Sequence, residues 1–503
     1  MDKENLIEKI NSVSIEHGEI TNIEFLEEIK DPISSEGMVM LDVPARCNVS
    51  VTLKPSNESD IKVVVSLPLE NWNGKYLGTC NGGAAGVLVM QEVNAGVARG
   101  FATANTDMGS SLNPEDMYMK RERWIDFGYR ATHLMTVVAK DIVKAFYGRA
   151  AKKSYFVGCS TGGQQALQEA QMFPDDYDGI AVSSPAYNRV NLHQAFVWDM
   201  LITCSDPAAI FPPELIQKVA NRIIEKYVVK CGGAEGDNFI SYPGKANFTP
   251  DDVDEVFSDL HLSEAQKTVL KNMYSFPKIA GTNDYIYVPQ PIGCESAILM
   301  LPYIRDGFHA LLGFLQKWVF GKDFDYTKYD FNKDYQKMVE LLREHLDATN
   351  PDLSAFKARG GKMILITGST DCLIPYTDGK NYYENVVKEM GGLDNVTDFF
   401  RYFHIPGLAH GSGGKGLQEI GNLLGVKSIP LDKQHDLLEA VMAWVEKDEA
   451  PEELLPVGFK NDDVKAEVDM ERPVYPYPYE TEYIGGDRKK KESFCKKLGN
   501  GIY

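Results

Sequence analysis

The sequence predicts an α/β protein, built on a mostly parallel sheet with helices on both faces and carrying one large inserted segment. Three observations carry this expectation. Short apolar runs recur in a β, α, β, α order along much of the chain. Of the 503 residues 44% are hydrophobic, enough to fill a large core. Between about 190 and 355 the pattern turns to helical segments rich in aromatics and proline, after which the strand series resumes.

The elements follow in order. Residues 61–68 and 99–106 read as strands, and 129–146 as a long helix with apolar residues at helical spacing. A short strand at 154–157 ends at glycine and leads into a helix at 163–172. Residues 180–183, 363–367 and 399–405 supply further buried strands, and 431–447 a helix. Inside the interruption, 214–229 and 263–274 read as helices. The domain organisation expected is therefore a core of residues 1–190 and 356–485, an inserted lid domain of 191–355, and a basic C-terminal tail of 486–503. The stretch after Ala450, rich in proline, tyrosine and charge, should wrap the surface before that tail.

Charge narrows the partners. With 72 acidic against 52 basic residues, the net charge of −20 repels phosphate backbones and anionic lipid, so no nucleic-acid or membrane partner is expected and a small neutral or apolar molecule is. The N-terminus has no basic patch followed by an apolar run, and no stretch approaches the ~20 apolar residues of a membrane span. Eight cysteines are scattered without close C-x-x-C pairs, which points to reduced thiols in a cytoplasm. Oligomeric state is not legible.

Gly158-Cys159-Ser160-Thr161-Gly162 matches G-x-S-x-G directly between an expected strand and an expected helix, the setting of a nucleophile elbow in the α/β-hydrolase fold. A glycine-rich turn alone would account for the pattern, so partners decide. They appear in the order Ser, Asp, His. Of the histidines downstream, His404 lies within an apolar strand and His435 in a helix, whereas His410 stands in a loop before Gly411-Ser412-Gly413-Gly414, free to act as general base. Asp371 follows the strand 363–367 across a short turn and is favoured as the orienting acid over Asp378, which lies further from the strand end. An acyl-enzyme also needs oxyanion donors. Candidates are the backbone N–H of Thr161 and, in the loop Cys80-Asn81-Gly82-Gly83-Ala84-Ala85-Gly86, those of Gly82 and Gly83.

With these residues in hand, the sequence resembles the tannase and feruloyl esterase family over roughly residues 40 to 485. The carriers are Asn71-Trp72-Asn73-Gly74-Lys75-Tyr76-Leu77-Gly78 with Asn81-Gly82-Gly83, the run Gly158 to Gln165, Trp318-Val319-Phe320-Gly321, Asn350-Pro351-Asp352-Leu353-Ser354-Ala355-Phe356, and Asp371-Cys372-Leu373-Ile374-Pro375. The resemblance implies a serine esterase that hydrolyses an aromatic carboxylate ester, such as a galloyl or feruloyl compound, using Ser160, Asp371 and His410 beneath a lid. Two other readings share the scaffold: an acyltransferase using the same triad, and a catalytically silent binding protein, against which the complete triad argues. In the lid, Phe196, Trp198, Phe314 and Trp318 are the candidate substrate contacts, although aromatics at helical spacing are more often core.

Three departures from the family pattern matter. The resemblance implies a disulfide from the cysteine before the nucleophile to one just after the catalytic histidine, but position 411 is glycine; Cys159 is then a free thiol and the histidine loop is expected to be mobile. Val474 stands where the family often has a cysteine, leaving Cys495 without that partner. Relatives carry an aspartate-rich calcium loop in the lid, whereas residues 231–240 keep only Glu235 and Asp237 as acids. Calcium prefers ~6–8 oxygens, so no cofactor is expected and these two are weak calcium candidates.

Overall fold

Alternate residues of a strand face opposite ways, and in the centre of this chain both sets are apolar. In the computed structural model, which describes residues 3–34, 37–421 and 425–499, Phe156, Ile180, Val182, Met363 and Leu365 pack into one core with Ala166 and Leu167 of the helix Thr161–Met172 and Tyr382 of the helix Tyr376–Glu389. Their neighbours Tyr155, Val157, Ala181, Ile364 and Ile366 pack into a second core with Leu437, Leu438 and Val441 of the helix Leu437–Lys447. A sheet buried on both faces results.

Its nine strands are β1 (Gly18–Leu26), β2 (Arg46–Leu53), β3 (Ile61–Pro68), β4 (Lys75–Thr79), β5 (Ala102–Thr106), β6 (Lys153–Cys159), β7 (Gly179–Ser183), β8 (Lys362–Gly368) and β9 (Phe400–Ile405), in the order β1-β2-β3-β5-β4-β6-β7-β8-β9. From β5 to β9 all neighbours are parallel; β1, β2 and β3 form an antiparallel meander joined antiparallel to β5. The loops leaving β4, β6, β8 and β9 at their carboxyl ends therefore emerge along one edge, where ligands bind in open α/β sheets.

Expected strands and helices recur with shifted ends. The strand expected at 99–106 begins at Ala102, because Arg99 caps the end of the helix Met90–Ala98 and Gly100, at φ +82°, turns the chain; the Arg99 side chain pairs with Asp436 (2.9 Å) and Glu439 (2.8 Å). The helix expected at 431–447 begins at Leu437, capped by Asp436, whose side chain accepts from Glu439 N at 2.9 Å. The helices expected at 214–229 and 263–274 span Pro213–Tyr227 and Glu264–Met273, the latter opened by a Ser263/Gln266 capping box.

Between β7 and β8 the described chain contains helices and no strand, beginning with the helix Arg189–Cys204, two residues before the expected boundary. Part of this insertion has its own core, including Phe211, Ile216, Val219, Ile223, Val253 and Leu270. Another part does not separate: Phe314, Leu315, Trp318, Met338 and Leu342 join the main core beside Phe127. Among the described residues no helix is long and apolar enough to cross a membrane.

The segment after Ala450 does wrap the surface, and it closes the sheet. Tyr477 N donates to Tyr402 O at 2.8 Å and Pro476 bridges Phe403, so the open edge of β9 is covered by backbone. Part of the expected basic tail of 486–503 is paired into a small sheet. β12 (Tyr479–Tyr483) pairs antiparallel with β13 (Phe494–Leu498), after the shorter pair β10 (Val457–Phe459) and β11 (Val468–Glu471); residues 500–503 lie outside the described residues. Val474 is buried in the second core and Cys495 stands opposite Glu482 in the β12–β13 pair. Asp237 of the insertion ties this region down. Its carboxylate receives both terminal nitrogens of Arg472, at 2.9 and 2.5 Å, and Nη1 of Arg488 at 2.9 Å. With Asp237 and Arg472 both buried, Asp237→Ala leaves an unpaired cation inside and is expected to lower unfolding free energy by about 3–5 kcal/mol in urea denaturation.

Candidate active site

The turn from β6 into the helix Thr161–Met172 has no room for a side chain two residues to either side of Ser160. A Cβ at Gly158 would stand 2.1 Å from Gly162 O, and one at Gly162 would stand 2.2 Å from Cys80 Cβ. The backbone can then fold sharply, and Ser160 sits at φ 60°, ψ −118°, a strained conformation for a residue with a side chain. Ser160 N donates to Ser183 O at 3.1 Å and Ala186 N donates to Ser160 O at 2.9 Å, fixing the turn from β7.

The loop after β4 lies against this elbow. Asn81 N donates to Gln165 Oε1 at 3.0 Å, and the Thr161 hydroxyl donates to Gly83 O at 2.7 Å. Gly82 and Gly83 line the same cavity as Ser160, and among the described residues neither N–H makes a backbone hydrogen bond. Thr161 opens its helix, where N–H groups point outward and the dipole favours negative charge.

Asp371 follows β8 and is wholly buried. Its Oδ1 accepts from Leu373 N (3.0 Å) and Ile374 N (2.9 Å), and its Oδ2 meets His410 Nδ1 at 2.9 Å. That contact leaves Nε2 as the nitrogen for the cavity, which His410 lines with Ser160. Burial pushes the imidazole pKa down, but the charge and hydrogen bond of Asp371 outweigh it, so His410 ends above the ordinary histidine value.

The histidine loop, expected to be mobile, forms a turn laced by backbone hydrogen bonds. Leu408 bridges Gly414, Ala409 N donates to Gly413 O, Lys415 N to Gly407 O and Gly413 N to Gln418 O. Thr370 N and Oγ1 both donate to Leu408 O, at 3.1 and 3.0 Å, stitching it to the acid loop. No bridge joins Cys159 to residue 411; all eight cysteines are free. Contact replaces it. A Cβ at Gly411, where φ is +76°, would stand 2.3 Å from Cys159 Sγ, so the bare glycine backbone is seated on the thiol.

The competing residues are occupied elsewhere. Asp378, its carboxyl pushed up to about 7 by burial, accepts from Tyr287 OH (2.8 Å) and Tyr187 OH (3.1 Å). His404 Nε2 meets Ser241 O at 2.7 Å, and His435, just before its helix rather than in it, lies between Asp432 and Glu471. Of the four aromatics, Phe196 and Phe314 line the cavity. Trp318 is buried against Phe127, and Trp198 packs on Phe276 and Phe331 while donating to Asn272 O. Glu235 is exposed and Asp237 is committed to its two arginines, a cationic setting that does not fit calcium.

The cavity, about 340 Å³, is otherwise apolar, lined by Ala186, Leu192, Leu311, Leu312, Leu373 and Ile374, with Arg189 as its charged member. None of these seven was read from the sequence as a site residue, and Leu373 and Ile374 entered only as part of a family motif. Leu373 and Ile374 could have been, since they directly follow the acid; Arg189 carries only the faint signal of a lone cation opening an apolar helix.

The sequence model described as tannase and feruloyl esterase matches residues 47–295 and 307–496. The chain belongs to the tannase and feruloyl esterase family. It is 31% identical to an uncharacterized esterase of Xanthomonas campestris pv. campestris, over 93% of this chain and 87% of the relative, and 30% identical to feruloyl esterase B of Aspergillus niger, over 81% and 78%. Among solved structures, feruloyl esterase B from Aspergillus oryzae superposes with a TM-score of 0.85 at 24% identity over 98% of this chain and all of that one (100%). The tannin acyl hydrolase of A. niger superposes at 0.75 and 16% identity over 98% and 95%, which shares the fold. The chain is thus an α/β-hydrolase-type carboxylic ester hydrolase of this family.

Two outcomes follow from the geometry. Asp371→Asn should lower kcat by about 10⁴-fold and move the acid limb of kcat/KM to lower pH, because burial then acts on His410 unopposed; Asp378→Asn should leave kcat within a few-fold. Gly411→Ala should destabilise by about 2–4 kcal/mol in urea unfolding through the clash and the positive φ, and in a Cys159→Ala background the penalty should fall to about 1–2 kcal/mol.

Proposed function

We propose that this family member hydrolyses esters of aromatic acids through an acyl-enzyme on Ser160. The observation that carries the reading is His410, held at Nδ1 by a buried carboxylate and lining one cavity with Ser160 and Gly83. Ser160 Oγ attacks the ester carbonyl while His410 Nε2 takes its proton. Asp371 keeps the ring in the needed tautomer and stabilises the imidazolium. The N–H groups of Thr161 and of Gly82 or Gly83 receive the oxyanion, each such donor being worth about 10²–10³ in rate. Collapse expels the alcohol with the proton from His410, and water then repeats the sequence on the acyl-enzyme.

An aromatic acyl group is favoured by the lining, where Phe196 and Phe314 flank leucines from the insertion. We read the insertion as a lid: Leu311 and Leu312 end its helix Leu301–Leu312, and Leu311 Cδ1 would lie 3.9 Å from a Cβ on Gly83. The eight free cysteines support a reducing compartment, and we propose the cytoplasm.

Ester hydrolysis should be measured with methyl gallate, methyl ferulate and a simple aliphatic ester. The wild type should prefer an aromatic ester, and Ser160→Ala should lose at least about 10⁴-fold. Activity surviving in Ser160→Ala would overturn the mechanism. Alcoholysis dominating at modest alcohol concentration would instead make the enzyme an acyltransferase.

A further inference from the structure

Arg189 has no part in the steps just described, yet it is the most unusual group at the site. It is only 2% exposed, opens the helix Arg189–Cys204, and lines the cavity with Ser160 and His410. Among the described residues it makes no ion pair. The nearby buried acid Asp347 is engaged otherwise, accepting from Val190 N at 2.9 Å and pairing with Arg343 at 3.3 Å. An enclosed guanidinium without a counter-ion is expensive to keep and calls for a compensating role.

Its hydrogen bonds point to one. Nε donates to Gln164 Oε1 at 2.7 Å and Nη2 donates to Thr161 Oγ1 at 3.0 Å. A guanidinium can only donate, so the Thr161 hydroxyl must accept from it and send its single proton the other way. That proton goes to Gly83 O at 2.7 Å. The relay therefore has a fixed direction, from Arg189 through Thr161 to Gly83, and it clamps the loop carrying one candidate oxyanion donor onto the helix carrying the other. Gln165 adds a second clasp to the same loop by accepting from Asn81 N.

We propose that Arg189 is the positioning residue of the oxyanion hole, fixing the Gly83 loop through Thr161 and contributing an uncompensated positive charge that favours the anionic tetrahedral adduct over the neutral ester. This rests on the catalytic reading above. Burial pulls the guanidinium pKa down to about 9, with the nearby Asp347 carboxyl opposing it, so the group stays cationic at neutral pH. It faces His193 and His410 as well: burial lowers the His193 imidazole and Arg189 adds to that, while at His410 burial and Arg189 pull down and Asp371 outweighs them.

The test compares Arg189→Met, Arg189→Lys and Thr161→Val in the full chain, using methyl ferulate turnover and inhibition by phenylboronic acid, which forms an anionic tetrahedral adduct with a serine hydroxyl. Arg189→Met should lower kcat by about 100-fold with KM changed less than threefold, weaken the boronic acid at least tenfold, and move the acid limb of kcat/KM to higher pH as His410 loses a neighbouring cation. Arg189→Lys keeps the charge and should hold the acid limb at its wild-type position while recovering part of kcat. Thr161→Val keeps the backbone N–H and the arginine but cuts the relay; it should lower kcat about tenfold with the acid limb unmoved, and it serves if Arg189→Met does not fold. The proposal is overturned if Arg189→Met retains kcat within threefold, if its boronic acid affinity and acid limb are unchanged, or if Thr161→Val turns over like the wild type. Undiminished activity in Ser160→Ala would strike the catalytic reading and this proposal with it, whereas an inactive Ser160→Ala beside wild-type turnover in Arg189→Met or Thr161→Val would strike this proposal alone.

Discussion

The site depends on how closely backbone can approach backbone at the end of β6. With Gly158 facing Gly162 O and Gly162 facing Cys80, the elbow closes only because β-carbons are missing, and closure is what lifts Ser160 out of the sheet at φ 60°. Everything else at the site is referred to that point. The loop after β4 docks on the elbow helix through Gln165 and Thr161, and Gly411 is seated on Cys159 from the far side. A parallel sheet supplies the frame, because it delivers the ends of β4, β6, β8 and β9 to one edge.

Much of this was legible in the sequence. Strands buried on both faces read as unbroken apolar runs, so β3, β6, β7, β8 and β9 could be placed within a few residues. β1 could not: GEITNIEFL is largely exposed at the sheet margin, and a strand with little apolar burial leaves little periodic trace. The Ser160, His410 and Asp371 set was readable because chain order and position at strand ends are local properties. Side-chain destinations across long separations were not. That Asp237 would meet Arg472 and Arg488, that Trp318 would turn into the main core while Phe314 also reached the cavity, and that Arg189 would lie without a counter-ion depend on how the insertion folds back.

The missing bridge shows how one contact can take the place of another. A covalent link between the serine and histidine loops limits their separation in every state of the chain, whereas the Gly411–Cys159 contact acts only in the folded one. The structure meets that weaker tether with several backbone hydrogen bonds in the histidine turn and with Thr370 joining it to the acid loop. The Cys159 thiol acts as filling, and its size is matched by the absence of a side chain at Gly411.

The clamp at Asp237 has a consequence for the order of events at the ribosome. Domains generally fold as they emerge, N-terminal parts first. Here a buried acid in the middle of the chain waits for Arg472 and Arg488, and the edge of β9 waits for Pro476 and Tyr477. The insertion and the sheet edge therefore reach their final state only after residues 472–488 have been synthesised, and the nascent chain must pass through a period with an unneutralised carboxylate and an uncapped strand.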